Sequence, residues 1–151
     1  RLSWDKKEDI MGNIKAFLLP PVMEETKSVI ITKRAKGPDG KPVPFVIRVI
    51  DQETNGKLLK RATKKTKLNG QIVQELDSDK YGKLLVQACV VSPDFQDSEI
   101  CAYYKTMDPL EVPGRMLTVG EYNRLVNAIK ELNELVTEES ELDELEDEAK
   151  N

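Results

Sequence analysis

Apolar residues recur along the chain in two periods, and the switches between them mark out the elements. Between Asp5 and Leu19, residues Ile10, Met11, Ile14, Phe17 and Leu18 fall at i, i+1, i+4, i+7 and i+8, the stripe of a short amphipathic helix that Pro20 and Pro21 stop. A helix of this length is marginal alone, so the stripe is expected to dock on the body or on a partner. Two β-rich runs follow, Ser28 to Arg34 (SVIITKR) and Pro44 to Ile50 (PFVIRVI), and the intervening AKGPDGKPV carries Gly-Pro and Asp-Gly turn signals. They predict an antiparallel β-hairpin with a loop longer than two residues. Pro42 and Pro44 belong at the start or on an edge of the second strand, because neither has an N–H for a ladder.

The period then turns helical. Asp51 is placed to cap a helix running to about Lys65, and Asp77 or Ser78 to cap a second one with Tyr81, Leu84, Leu85 and Ala88 on one face. The segment between them, GQIVQEL, fits either period. A shorter helix, DSEICAYYKTM, follows the turn at Ser92-Pro93-Asp94, and Pro109 and Pro113 mark an irregular connection. The clearest helix opens with Thr118 and Glu121 in capping-box spacing. Tyr122, Leu125, Ile129, Leu132 and Val136 then alternate three and four apart, but the next seam positions are Glu139 and Asp143, where the heptad fails. The seam is short enough to be the core face of the helix, and it also suits a partner helix or self-association. The expected fold class is α+β: a small antiparallel β-hairpin packed against a predominantly helical domain, with the amphipathic helix and its linker over residues 1–27, the domain over 28–136 and an acidic tail over 137–151.

Composition narrows the chemistry. The chain has 151 residues, 39% hydrophobic and 33% charged, enough for a single core, and no run nears the ~20 apolar residues of a membrane helix. No apolar signal segment opens the sequence, so a cytoplasmic protein is expected, and the start at Arg1 without Met reads as trimming or processing. Cys89 and Cys101 are read as reduced, largely buried thiols. The absence of histidine removes Ser-His-Asp and Cys-His nucleophiles, and two cysteines are too few for the common zinc sites. The run from Asp77 imitates a calcium loop through Asp79 and Gly82, but Tyr81 and Ala88 stand at its fifth and twelfth positions. No catalytic set, no metal site and no cofactor loop is expected.

The sharpest local feature is charge. Gly56 to Gly70 (GKLLKRATKKTKLNG) holds six Lys or Arg and no acid in a chain of net charge −4. In a continuous helix, Lys57, Lys60, Arg61 and Lys64 form one basic stripe, which reads as a solvated face, as a site for an acidic protein partner, or as a phosphate-contacting surface. The last ranks lowest, since neither a groove-reading motif nor an aromatic platform accompanies the stripe. Eight of the eleven residues from Glu138 to Glu148 are acidic, with Leu142 and Leu145 among them. That tail is expected either to compete diffusely for the basic stripe or to confer solubility alone.

Three stretches, taken in order, resemble a known family: ITKRAKGPDGKPVPFVIRVI, DKYGKLLVQACVVSPDFQDSEI and MLTVGEYNRLVNAIKELNEL. They look like the XkdN-like tail assembly chaperones of tailed phages and phage-derived particles such as the PBSX defective prophage. The matching positions over roughly residues 28 to 135, among them Lys33, Arg34, Pro42, Pro44, Phe45, Tyr81, Gly82, Pro93, Asp94, Phe95, Gly120, Glu121 and Tyr122, look architectural. The resemblance implies a non-enzymatic helper in the cytoplasm of the bacterial host, absent from the mature particle, that binds the tape-measure protein and helps recruit tail-tube subunits. Candidate partner-binding residues are Lys57, Lys60, Arg61 and Lys64 on the basic stripe and Tyr122, Leu125, Ile129 and Leu132 on the seam. The alternative is a small nucleic-acid-associated regulator using a basic helix over 51–65.

Overall fold

A computed structural model describes residues 13–135. The stripe positions Ile10 and Met11, the seam position Val136 and the acidic tail therefore lie outside the described residues. What is described of the first helix is its end, a 3-10 turn at Lys15–Phe17, where Phe17, Leu18 and Leu19 are all exposed.

The fold is α+β. Strand β1 (Thr26–Val29) pairs antiparallel with β2 (Phe45–Arg48), from Thr26 opposite Arg48 to Val29 opposite Phe45. The two β-runs therefore pair as expected, but the first strand lies earlier than Ser28–Arg34 and ends at Val29. Pro44 has no N–H with which to extend the ladder beyond Phe45. The freed chain turns inward instead, and Ile31 and Thr32 are buried. In the long loop, Lys36 bridges Pro42, and Gly40 takes a left-handed φ of 77° that closes the turn.

Helix α1 (Gln52–Ala62) starts where Asp51 caps it, its carboxylate accepting from the Thr54 amide at 2.8 Å. It stops at Ala62, three residues short of Lys65. The alternation Thr63 to Leu68 passes through Asn69 and Gly70 into Gln71 to Leu76, making a second hairpin of β3 (Thr63–Leu68) and β4 (Gln71–Leu76). Asn69 and Gly70 have φ of 53° and 80°, the left-handed pair that a two-residue hairpin loop needs. The Asn-Gly signal thus outweighed the helix propensity of the lysines, and it resolves GQIVQEL as a strand.

Helix α2 (Ser78–Cys89), capped by Asp77, buries Leu84, Leu85, Val86 and Cys89. Its Val-Val end is not helical but a short strand, β5 (Val90–Ser92), which pairs with β2 to make a three-stranded sheet in the order β1-β2-β5. Helix α3 (Ser98–Tyr103) follows. The connection at Pro109 and Pro113 is more regular than expected: a 3-10 turn at Pro109–Glu111 leads into α4 (Val112–Met116), with each proline in a first turn, where a missing N–H costs nothing. Helix α5 (Val119–Leu132) opens with the complete Thr118–Glu121 capping box. One core gathers Ile31, Phe45, Ile47, Leu84, Leu125 and Ile129 between sheet and helices, with Phe45 edge-on to Phe95 at 6.3 Å.

Candidate interaction surface

The structure divides the basic stripe. Lys57, Lys60 and Arg61 are exposed on α1, but Lys64 lies on β3, so one continuous helical stripe does not form. Lys57 reaches Glu53 at 3.8 Å one turn back, and Lys64 pairs with Asp77 at 3.2 Å. The Lys80 amide, with Lys64 second, holds the Asp77 carboxyl below the usual carboxylate range. Thr63 closes the helix by donating its hydroxyl to the Leu59 carbonyl at 2.7 Å. Because α1 runs straight into β3, the charges continue from helix to ribbon as Lys64, Lys65 and Lys67.

That ribbon is exposed along almost its whole length. Strand β4 is exposed at every position, and neither β3 nor β4 joins the three-stranded sheet. Leu68 and Ile72 are 64% and 68% exposed, Val73 and Leu76 40% and 45%. Strand alternation sorts the ribbon into two faces. One carries Thr63, Lys65, Lys67, Ile72, Gln74 and Leu76, basic and apolar with no acid. The other carries Lys64, Thr66, Leu68, Gln71, Val73 and Glu75, where Lys64 stands opposite Glu75. An isolated two-stranded hairpin is marginal in water, so apolar residues placed on one suit a surface that another chain completes. Lys65, Lys67, Leu68, Ile72, Val73 and Leu76 were not among the residues expected from the sequence. Asn-Gly between two alternating runs was the signal that pointed to them.

The seam residues pack inward instead. Leu125 and Ile129 have no exposed surface, and Tyr122 and Leu132 pack partly buried against the same core. Burial pushes the Tyr122 hydroxyl up. As folded, Leu125 and Ile129 have nothing to offer a partner helix.

The positions that carry the resemblance mostly hold the fold together. The Arg34 guanidinium donates to both Glu121 oxygens, at 3.2 and 2.6 Å, and to the Met116 carbonyl at 2.9 Å, tying the loop after β1 to the start of α5. That pairing first, with the Thr118 amide second, holds the Glu121 carboxyl well below the usual carboxylate range. The Tyr81 hydroxyl bonds Asn55, joining α2 to α1. Phe45 and Phe95 are buried, and Pro93 follows a cis peptide bond.

Around Val43, Pro44, Phe45, Pro93, Tyr104 and Met116 lies a largely apolar cleft of about 280 Å³ with Arg34 at its rim. It brings together no nucleophile and base. Burial pushes the Cys89 thiol up to about 11, the opposite of an activated cysteine, and Cys101 donates to the Phe95 carbonyl at 3.3 Å. Among the described residues no group of three or more His, Cys, Asp or Glu is placed to hold a metal ion, and no helix is long and apolar enough to cross a membrane.

Comparison with known proteins adds context to this geometry. A family described as "Phage XkdN-like tail assembly chaperone protein, TAC" matches residues 14–150, further at both ends than the three stretches that carry the resemblance. The PBSX phage-like element protein XkdN of Bacillus subtilis (strain 168) is 35% identical over 141 residues, covering 90% of this chain and 93% of its own length. The YqbN protein of the same organism is 33% identical over 150 residues, covering 97% and 99%. A crystal structure of YqbN superposes with a TM-score of 0.68 at 31% identity, over 80% of this chain and 96% of that one.

Proposed function

Since the chain belongs to the XkdN-like phage tail assembly chaperone family, we propose that it binds the phage tape-measure protein and helps recruit tail-tube subunits while the tail is built. It acts as a holding protein without chemistry of its own, in the cytoplasm of the bacterial host, and is left out of the finished particle. The observation that carries this reading is the β3–β4 ribbon, whose Leu68, Ile72, Val73 and Leu76 stand exposed among Lys64, Lys65 and Lys67. Such a surface offers apolar side chains to an amphipathic helix and positive charge to its acidic flank, and lets go more readily than a buried obligate interface would. A holder that must leave the assembly needs that weakness.

Co-expression tests it. The full chain is produced with the tape-measure protein from the same phage genome, with and without the tail-tube protein, and the soluble fraction is purified through a tag on this chain. The tape-measure protein should stay soluble and co-purify. A tape-measure protein that aggregates equally with and without this chain, and never co-purifies, contradicts the reading.

A further inference from the structure

We propose that in the free protein the chain's own acidic C-terminal segment, Glu138 to Glu148, lies on the ribbon face formed by Lys65, Lys67, Ile72, Gln74 and Leu76. The other ribbon face balances Lys64 with Glu75, whereas this one has two lysines, two exposed apolar side chains and no acid. Its complement is an acidic segment with a little apolar surface. The C-terminal segment has eight acids in eleven residues with Leu142 and Leu145 among them, two leucines to set against Ile72 and Leu76.

The place where the described chain ends makes the contact reachable. Asn133 is fixed beside β2 and α1, its side-chain oxygen accepting from the Ile50 amide at 2.9 Å, and Leu135 lines one cavity with Asp51, Gln52 and Asn55. The C-terminal segment therefore departs from the start of α1. Following α1 past Lys57, Lys60 and Arg61 leads directly into the ribbon, because Ala62 and Thr63 are consecutive. Helix α1 rises about 16 Å and β3 about 20 Å, while sixteen extended residues from Val136 to Asn151 span about 50 Å. Attachment in cis also supplies an effective concentration in the millimolar range, enough for weak screened pairs to be populated. The contact depends only on this surface and not on the identity of any protein that displaces the segment.

Zero-length carbodiimide coupling of the full chain, at low ionic strength and low protein concentration, reads the contact directly. In the monomer band, carboxylates of residues 138–148 should couple to Lys65 and Lys67, and to Lys57 and Lys60 on the way, several-fold more than to the exposed Lys27, Lys33 and Lys105. Yield should fall several-fold near 1 M salt, where the screening length is about 3 Å. Acidifying the face without touching a lysine, through Ile72→Glu with Gln74→Glu, should cut coupling to Lys65 and Lys67 by a similar factor while the melting temperature stays put. Even coupling across all exposed lysines, coupling confined to a dimer band, or indifference to the two substitutions overturns the proposal. Success here with failed co-purification of the tape-measure protein would leave this inference standing and sink the proposed function, and the converse holds.

Discussion

Truncating Leu125 separates a core residue from a docking seam. Leu125 has no exposed surface, on a helix, α5, that packs against α2 and β2. Leu125→Ala removes three buried carbons and leaves a cavity, a change that costs about 2–5 kcal/mol in comparable cores. For a domain of this size, roughly 4 °C of melting temperature follows each kcal/mol, so the expected drop is about 8–20 °C. Val119→Ala on the same helix is the control: Val119 is 82% exposed, and its loss should stay within about 0.5 kcal/mol. The assay is thermal unfolding by circular dichroism with sedimentation velocity on the same samples. A Leu125→Ala protein that melts with the wild type but sediments as a smaller species would place Leu125 between chains and refute the core assignment.

Three further outcomes follow from the same contacts. Thr118→Ala removes the side-chain half of the capping box and should lower stability by about 1 kcal/mol in denaturant melts. Arg34 first, with the Thr118 amide second, depresses the Glu121 carboxyl, so the unfolded chain binds that proton more readily: its stabilisation is complete above an unfolded glutamate value of ~4.3 and is lost as pH falls from there through the lower folded value. Glu121→Gln should therefore flatten the decline of stability between about pH 5 and 3, measured by urea melts across that range, and an unchanged slope would exclude the ion pair as its source. Ile72→Asp, at a position 68% exposed, should leave the melting temperature within a few degrees while lowering co-purification of the tape-measure protein.

The sequence was most legible where one signal acted alone. Thr118 and Glu121 sit in a capping box, Asp51 and Asp77 cap the helices they precede, and Leu84 and Leu85 face inward, because each depends on neighbours within a turn or two. Legibility failed where two signals competed. Between Gly56 and Gly70 the lysines favour helix, while Thr63, Thr66 and Asn69-Gly70 favour a hairpin, and the hairpin prevails from Thr63 on, moving Lys64 off the helix and exposing Ile72 and Leu76 on a ribbon. Strand β5 was hidden for another reason: Val90 and Val91 continue the helical pattern of α2, and only the pairing of Val90 with Ile47 and of Ser92 with Val46, from far along the chain, makes this segment a strand. The Arg34–Glu121 pair spans 87 positions and leaves no local trace of the bond.

Amide hydrogen exchange on the full chain, with and without bound tape-measure protein, tests the central claim most directly. The ribbon is exposed and unsupported, so its amides should exchange fast in the free protein and slow markedly in the complex, with the gain concentrated in peptides covering Thr63 to Leu76 and little change in those covering Leu125 and Ile129. Protection that appears instead at the β1 edge or along α5, with the ribbon unaltered, would contradict the assignment of this surface.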